Sequence, residues 1–162
     1  MRVFLMSVAV AMVAAPALAQ DAPAETGADI SQDRSWHNAQ SLALAQRAAE
    51  GWYALPGGVL WRRVSGDGSG AHPTPDDVVS VHYAGSFIDG REFDSSTGGP
   101  PATFPLQGLI PAWQLAIPNA GIGDTIEIAA PATLAYGPVG RGPIPGGATL
   151  LFTVELLGIA GR

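Results

Sequence analysis

An α+β domain, with a twisted antiparallel sheet forming a half-barrel around one short α-helix, is the architecture this chain predicts. Three observations carry it. Twenty-one Gly and 14 Pro among 162 residues stand singly between short apolar alternations, as turns between strands do. Near the C-terminus, Leu150, Phe152, Val154 and Leu156 alternate with Leu151, Thr153, Glu155 and Leu157, the period of a strand with one buried face. Only one short helical stretch, opened by Pro111, interrupts the strand-like half of the chain.

The elements follow in order. Arg2, an apolar run from Val3 to Ala15 and the small-x-small triplet Ala17-Leu18-Ala19 have the layout of a secretory signal peptide over residues 1–19, cleaved after Ala19. That run is shorter than the roughly 20 apolar residues a spanning helix needs, so no membrane segment is expected after cleavage. Residues 20–34 lack periodicity and read as a flexible linker. A helix is expected over 35–51, with Ser35 as N-cap, an apolar stripe of Trp36, Leu42 or Ala43, and Ala49, and Gly51 as its stop. It either packs on its own domain or forms an arm that pairs subunits, so the chain is a monomer or a homodimer.

From residue 54 the pattern is that of the domain itself, 54–162. Pro56-Gly57-Gly58 is a turn and Val59–Val64 a strand. Gly66–Gly70 forms a hairpin-like loop; no Gly-Lys-Ser/Thr follows, so it does not read as a phosphate cradle. Val79, Val81 and Tyr83 alternate with Ser80 and His82 in a strand that turns at Asp89-Gly90 and resumes at Phe93. Pro111–Ile117 is the short helix, with Trp113 on its inner face, and Ile126 and Ile128 mark a further strand. A sheet wrapped on a helix leaves an apolar hollow, where small ligands bind.

Composition removes several function classes. Net charge is −6, Lys is absent and the eight Arg are scattered, so no basic face exists to collect nucleic-acid phosphates. Cys is absent, which excludes thiolate nucleophiles and Cys-ligated metal. His37, His72 and His82 have no ligand spacing, and no cofactor or metal is expected. No Gly-x-Ser-x-Gly elbow marks a hydrolase.

Five segments in order resemble one family. Val81-His82-Tyr83-Ala84-Gly85, then Asp89–Ser96, Leu109-Ile110-Pro111-Ala112-Trp113, Ala135-Tyr136-Gly137 and Ile144–Leu156 are similar to the signatures of FKBP-type peptidyl-prolyl cis/trans isomerases, in the bacterial periplasmic and macrophage-infectivity-potentiator branch. The resemblance implies an isomerase acting on X–Pro bonds of exported, folding proteins, with macrolides as inhibitors. It implies a catalytic set of Tyr83, Asp94, the backbone N–H of Ile110 and the Tyr136 hydroxyl. Phe93, Phe104, Leu109, Trp113, Ile144 and Phe152 would bind substrate, with Trp113 as the floor and Phe104 and Ile144 near the rim. Ala102, Pro143 and a shortened Pro138–Pro143 segment depart from the family pattern. The alternative implied is a low-turnover chaperone module that holds proline-containing peptides.

Overall fold

A computed structural model describes residues 30–161. The signal-peptide reading of 1–19 and the linker reading of 20–29 lie outside these residues. Ile30–Gln32 is a 3-10 turn, so the last part of the expected linker is helical instead. Helix α1 spans Arg34–Ala49. Its N-cap is Asp33 rather than Ser35: an Asp33 carboxylate oxygen accepts both the Ser35 amide and the Ser35 hydroxyl at 2.7 Å. The carboxylate satisfies a first-turn amide that has no partner within the helix. The inward stripe keeps Trp36 and Ala43 as expected but adds the polar Gln40 and leaves Ala49 exposed. Gln40 and Ala43 are buried and Trp36 packs on the core, while Leu42 is 58% exposed.

Nine strands follow: β1 Tyr53–Ala54, β2 Leu60–Ser65, β3 Val78–Phe87, β4 Glu92–Ser95, β5 Ala102–Pro105, β6 Thr125–Ala130, β7 Gly140–Arg141, β8 Ile144–Pro145 and β9 Leu150–Ile159. Seven build one antiparallel sheet in the order β1-β2-β6-β9-β3-β4, with β5 on the same edge of β3 as β4. β7 and β8 form a separate small hairpin. Because β2 neighbours β6 and not β3, the Gly66–Gly70 segment is a crossing loop, not a hairpin. It is pinned: the Gly68 amide donates to Asp124 at 3.0 Å, and Gly70 lies against the Ile122 backbone too closely for a Cβ.

The period-2 patterns set the two faces. Val79, Val81 and Phe87 of β3, Ile126 and Ile128 of β6, and Leu150, Phe152, Val154 and Leu156 of β9 turn inward and are buried. Helix α2, Pro111–Ala116, fills the concave side with Ala112, Trp113 and Ala116, and a 3-10 turn at Ile117–Asn119 continues it. On the convex side Trp52, Leu60 and Ala129 form a second cluster, joined by Leu44 of α1 and Leu151. That explains the mixed outer row of β9: Leu151 is half covered from outside while Thr153 and Glu155 face solvent.

Candidate active site

β3, β4, β5, β9 and α2 bring aromatic side chains to one point. The Trp113 indole is only 4% exposed, and three rings stand nearly upright on it. Tyr83 of β3 lies 5.4 Å away, centroid to centroid, at 79°; Phe152 of β9 lies at 5.3 Å and 90°; Phe104 of β5 lies at 6.5 Å and 78°. Edge-to-face contact of this kind is favoured by the ring quadrupoles. Phe93 of β4 closes the circle against Phe152 at 5.8 Å and 88°. The result is a cavity of about 200 Å³ with the indole at its base.

One backbone position makes the closure possible. Gly85 is on the inner row of β3, between Tyr83 and Phe87. A Cβ there would sit 2.7 Å from Phe93 Cζ and 3.0 Å from Phe152 Cε1. The missing side chain is what lets the two phenyl rings meet over the strand. Gly85 closes the Val81–Gly85 segment, where strand alternation alone assigns a glycine no role.

Nine residues line the cavity: Tyr83, Phe93, Asp94, Phe104, Leu109, Ile110, Trp113, Tyr136 and Phe152. These are all the residues expected from sequence except Ile144. Ile144 is 7% exposed and belongs to the core, because the short β7–β8 hairpin turns it inward rather than toward the mouth. Ala102 pairs with Val81, and Pro143 is exposed outside the cavity.

Polar groups are few. The Tyr83 hydroxyl donates to Asp94 Oδ2 at 2.7 Å, and the Ser95 amide donates to Asp94 Oδ1 at 2.9 Å. Asp94 therefore serves its own turn and fixes Tyr83 at once. Burial, then the hydrogen bond to Asp94 and its charge, push the Tyr83 phenol up to about 12. It stays protonated and committed to Asp94 at neutral pH. Ile110 is the N-cap of α2; its carbonyl accepts from Trp113 and Gln114 at 3.0 and 3.3 Å. Its own N–H, like the first amides of any helix, has no intrahelical acceptor, and it donates to no other group among the described residues. The Tyr136 ring borders the cavity, with the Arg141 guanidinium carbon 6.0 Å from its centre. Among the described residues no cluster of His, Cys, Asp and Glu could hold a metal ion. The arrangement can bind a compact apolar ring and offer hydrogen bonds at its margin; it holds no activated nucleophile or proton relay.

Comparison with known proteins places this site in a family. Residues 69–157, more than half of the chain, match the family described as FKBP-type peptidyl-prolyl cis-trans isomerase. The chain belongs to this family. It is 47% identical over 93 residues to an FKBP-type isomerase named FkpA from Aeromonas hydrophila, a match covering 57% of this chain and 35% of that protein. It is 37% identical over 145 residues to the outer membrane protein MIP of Legionella longbeachae, covering 86% of this chain and 61% of that one. The chain thus spans about a third to three-fifths of these relatives. A crystal structure of a peptidyl-prolyl cis-trans isomerase from Pseudomonas syringae pv. tomato superposes with a TM-score of 0.71 at 31% identity, covering 77% of this chain and 93% of that one. The FKBP-type membership and fold expected from five sequence segments are therefore shown.

Proposed function

We propose that the chain is a peptidyl-prolyl cis/trans isomerase whose substrates are accessible X–Pro segments of exported, folding polypeptides. The observation that carries this reading is the indole-floored cavity, walled by upright rings and bordered by uncommitted hydrogen-bond donors. Rotation about an X–Pro bond must break amide resonance, a barrier of about 18–20 kcal/mol, although the two planar forms differ by only about 0.5–1 kcal/mol. No covalent bond is made or broken. The enzyme has only to hold the twisted amide better than the flat one.

The cavity's groups suit that task. The proline ring stacks on Trp113 between Tyr83, Phe93 and Phe152. The twisted amide separates less charge than the planar one, so water-free aromatic walls favour it. The Ile110 N–H holds one flanking carbonyl and the Tyr136 hydroxyl a second, which fixes a turn-like peptide. The Tyr83 hydroxyl is already engaged as a hydrogen-bond donor to Asp94, so its role is to hold that carboxylate and the ring wall in place. Each tenfold gain in rate requires about 1.36 kcal/mol, so these few contacts suffice for a moderate acceleration. A macrolide carrying a proline-like ring amide between carbonyls would occupy the same place and inhibit.

The signal-like start and a relative named as an outer membrane protein support export to the periplasm. Among the described residues no helix is long and apolar enough to cross a membrane. N-terminal sequencing of the periplasmic protein should find Gln20 first. The docking of α1 on its own domain supports a monomer, and light scattering at twice the chain mass would contradict it.

A coupled assay on a proline tetrapeptide tests the activity. Wild type should accelerate isomerisation. Asp94→Ala should lower kcat/KM about tenfold or more, the scale of a charge-assisted hydrogen bond. Tyr136→Phe should lower it about three- to tenfold, the scale of a neutral one. Peptide binding without acceleration would instead make the chain a holding module.

A further inference from the structure

Tyr136 sits on a long excursion of the chain away from the main sheet. The chain leaves the sheet at Ala130, the end of β6, and returns at Leu150, the start of β9. Between them its strands are only the two-residue β7 and β8. The excursion is closed on itself beside Tyr136: the Gly137 amide donates to Ala132 at 2.7 Å, the Gly140 amide to the Tyr136 carbonyl at 3.2 Å, and the Gly147 amide to the Gly137 carbonyl at 3.0 Å. Ile144, Ala148, Leu134 and Ala135 pack it on the core, and the polar ties that fix the base of its hairpin come from the first half of α1.

Three side chains of that helix meet the base of the hairpin. Trp36 Nε1–H donates to the Gly146 carbonyl at 3.3 Å. Gln40 Oε1 accepts the Thr149 amide at 2.8 Å, and the Thr149 hydroxyl donates back to the Gln40 carbonyl at 3.4 Å. Gln40 is 4% exposed and Thr149 2%, so neither group can exchange its partner for bulk water. The His37 ring lies so close to Gly147 that a Cβ there would be 2.7 Å from its Cε1. Gly146 is wedged between the Pro138 carbonyl and Ser31, again with no room for a side chain on the carbonyl side. Gly147 lets the helix close on the hairpin, Gly146 lets the hairpin base close on Pro138, and the Gly147–Gly137 bond carries that restraint to the residue next to Tyr136.

We propose that α1 is a positioning element of the active site: Trp36 and Gln40 clamp the hairpin base and thereby hold the Tyr136 hydroxyl at the cavity margin. The assignment rests on the isomerase reading above, and it goes beyond it by making a segment outside residues 69–157, the part matched to the family, a determinant of turnover. Without the clamp the loop samples more conformations, and the substrate must order it on binding. Preorganised hydrogen-bonding groups avoid that cost.

The test uses the full chain and a proline tetrapeptide, with four variants. Trp36→Phe removes one N–H while keeping an aromatic ring. Gln40→Leu removes the acceptor for Thr149. Each should lower kcat/KM about three- to tenfold, the scale of one hydrogen bond. In a Tyr136→Phe background the same substitutions should cost less than twofold, because the group they position is gone. A purely structural role would give equal losses in both backgrounds. Leu42→Ala, on the exposed face of the same helix, should leave kcat/KM unchanged. Amide exchange at Gly147 and Thr149 should quicken in Gln40→Leu while that of Val154 in β9 does not; if this variant does not fold, Trp36→Phe alone decides. Unchanged kcat/KM in folded Trp36→Phe, or equal losses with and without the Tyr136 hydroxyl, overturns the clamp. Absence of turnover in the wild type would instead overturn the isomerase reading.

Discussion

Tyr83 illustrates how much of the site is decided at single residues. Its phenol is pushed up to about 12, first by burial and then by the Asp94 hydrogen bond. The folded state therefore holds this proton more tightly than an unfolded chain, whose tyrosines titrate near 10. The resulting stabilisation is complete below about pH 10 and is lost as pH rises through about 12. Ultraviolet titration should show a tyrosine ionising at about pH 12, and Asp94→Asn should bring it down. Gly85 makes a second prediction. Gly85→Ala should force Phe93 and Phe152 apart, costing about 1–3 kcal/mol in urea denaturation as overpacking does, and raise the peptide KM. Tyr83, Phe93 and Phe152 were readable as core from alternation alone; only the family resemblance distinguished them as cavity walls. Gly85 escaped because a strand glycine has no pattern of its own, and the two rings that need its space come from β4 and β9. Ile144, expected near the rim, lies instead in the core cluster beside the cavity. Position in a motif does not say which way a side chain points on a shortened hairpin.

At the scale of elements, the loop between β2 and β3 shows what the sequence hides. Gly66–Gly70 has hairpin composition, yet it crosses the end of the sheet and is tied by Asp124. That carboxylate accepts the Gly68 amide at 3.0 Å, the Gly121 amide at 2.8 Å and Arg63 Nε at 2.9 Å. Burial by itself raises the Asp124 carboxyl, but the two amides and the guanidinium outweigh it and hold the group below the usual carboxylate range. Its contribution is thus present above the unfolded value of about 3.9 and disappears as pH falls through the lower folded one. Asp124→Asn should cost about 2–4 kcal/mol at pH 7, since it strands a partly buried Arg63, and the deficit should shrink toward pH 3. Denaturation curves at both pH values check this. β5 was not anticipated at all: three residues between Pro101 and Pro105 resemble a loop, and proline tolerates only the edge position that β5 in fact takes. The cap of α1 moved from Ser35 to Asp33 because both residue types can cap and the sequence does not rank them.

For the whole molecule, the curvature of one sheet creates two differently used faces. The concave face holds α2 and, at one end, the cavity; the convex face carries the Trp52 cluster and part of α1. Architecture was legible because each long strand has one buried row, which fixes period and direction together. Strand order was not legible, because β6 and β9 pair across a long separation that no local pattern records. The position of α1 was not legible either: its docking depends on Gln40, a polar residue that an apolar stripe omits. The account rests on an indole-floored cavity that tolerates a rotated proline amide. Exchange NMR on an X–Pro peptide measures this without coupling enzymes. With catalytic amounts of the protein, cis and trans resonances that interconvert in tens of seconds unaided should show exchange cross-peaks within a second of mixing, and Trp113→Ala should abolish them. Bound peptide whose cis and trans signals still exchange at the unaided rate would contradict it.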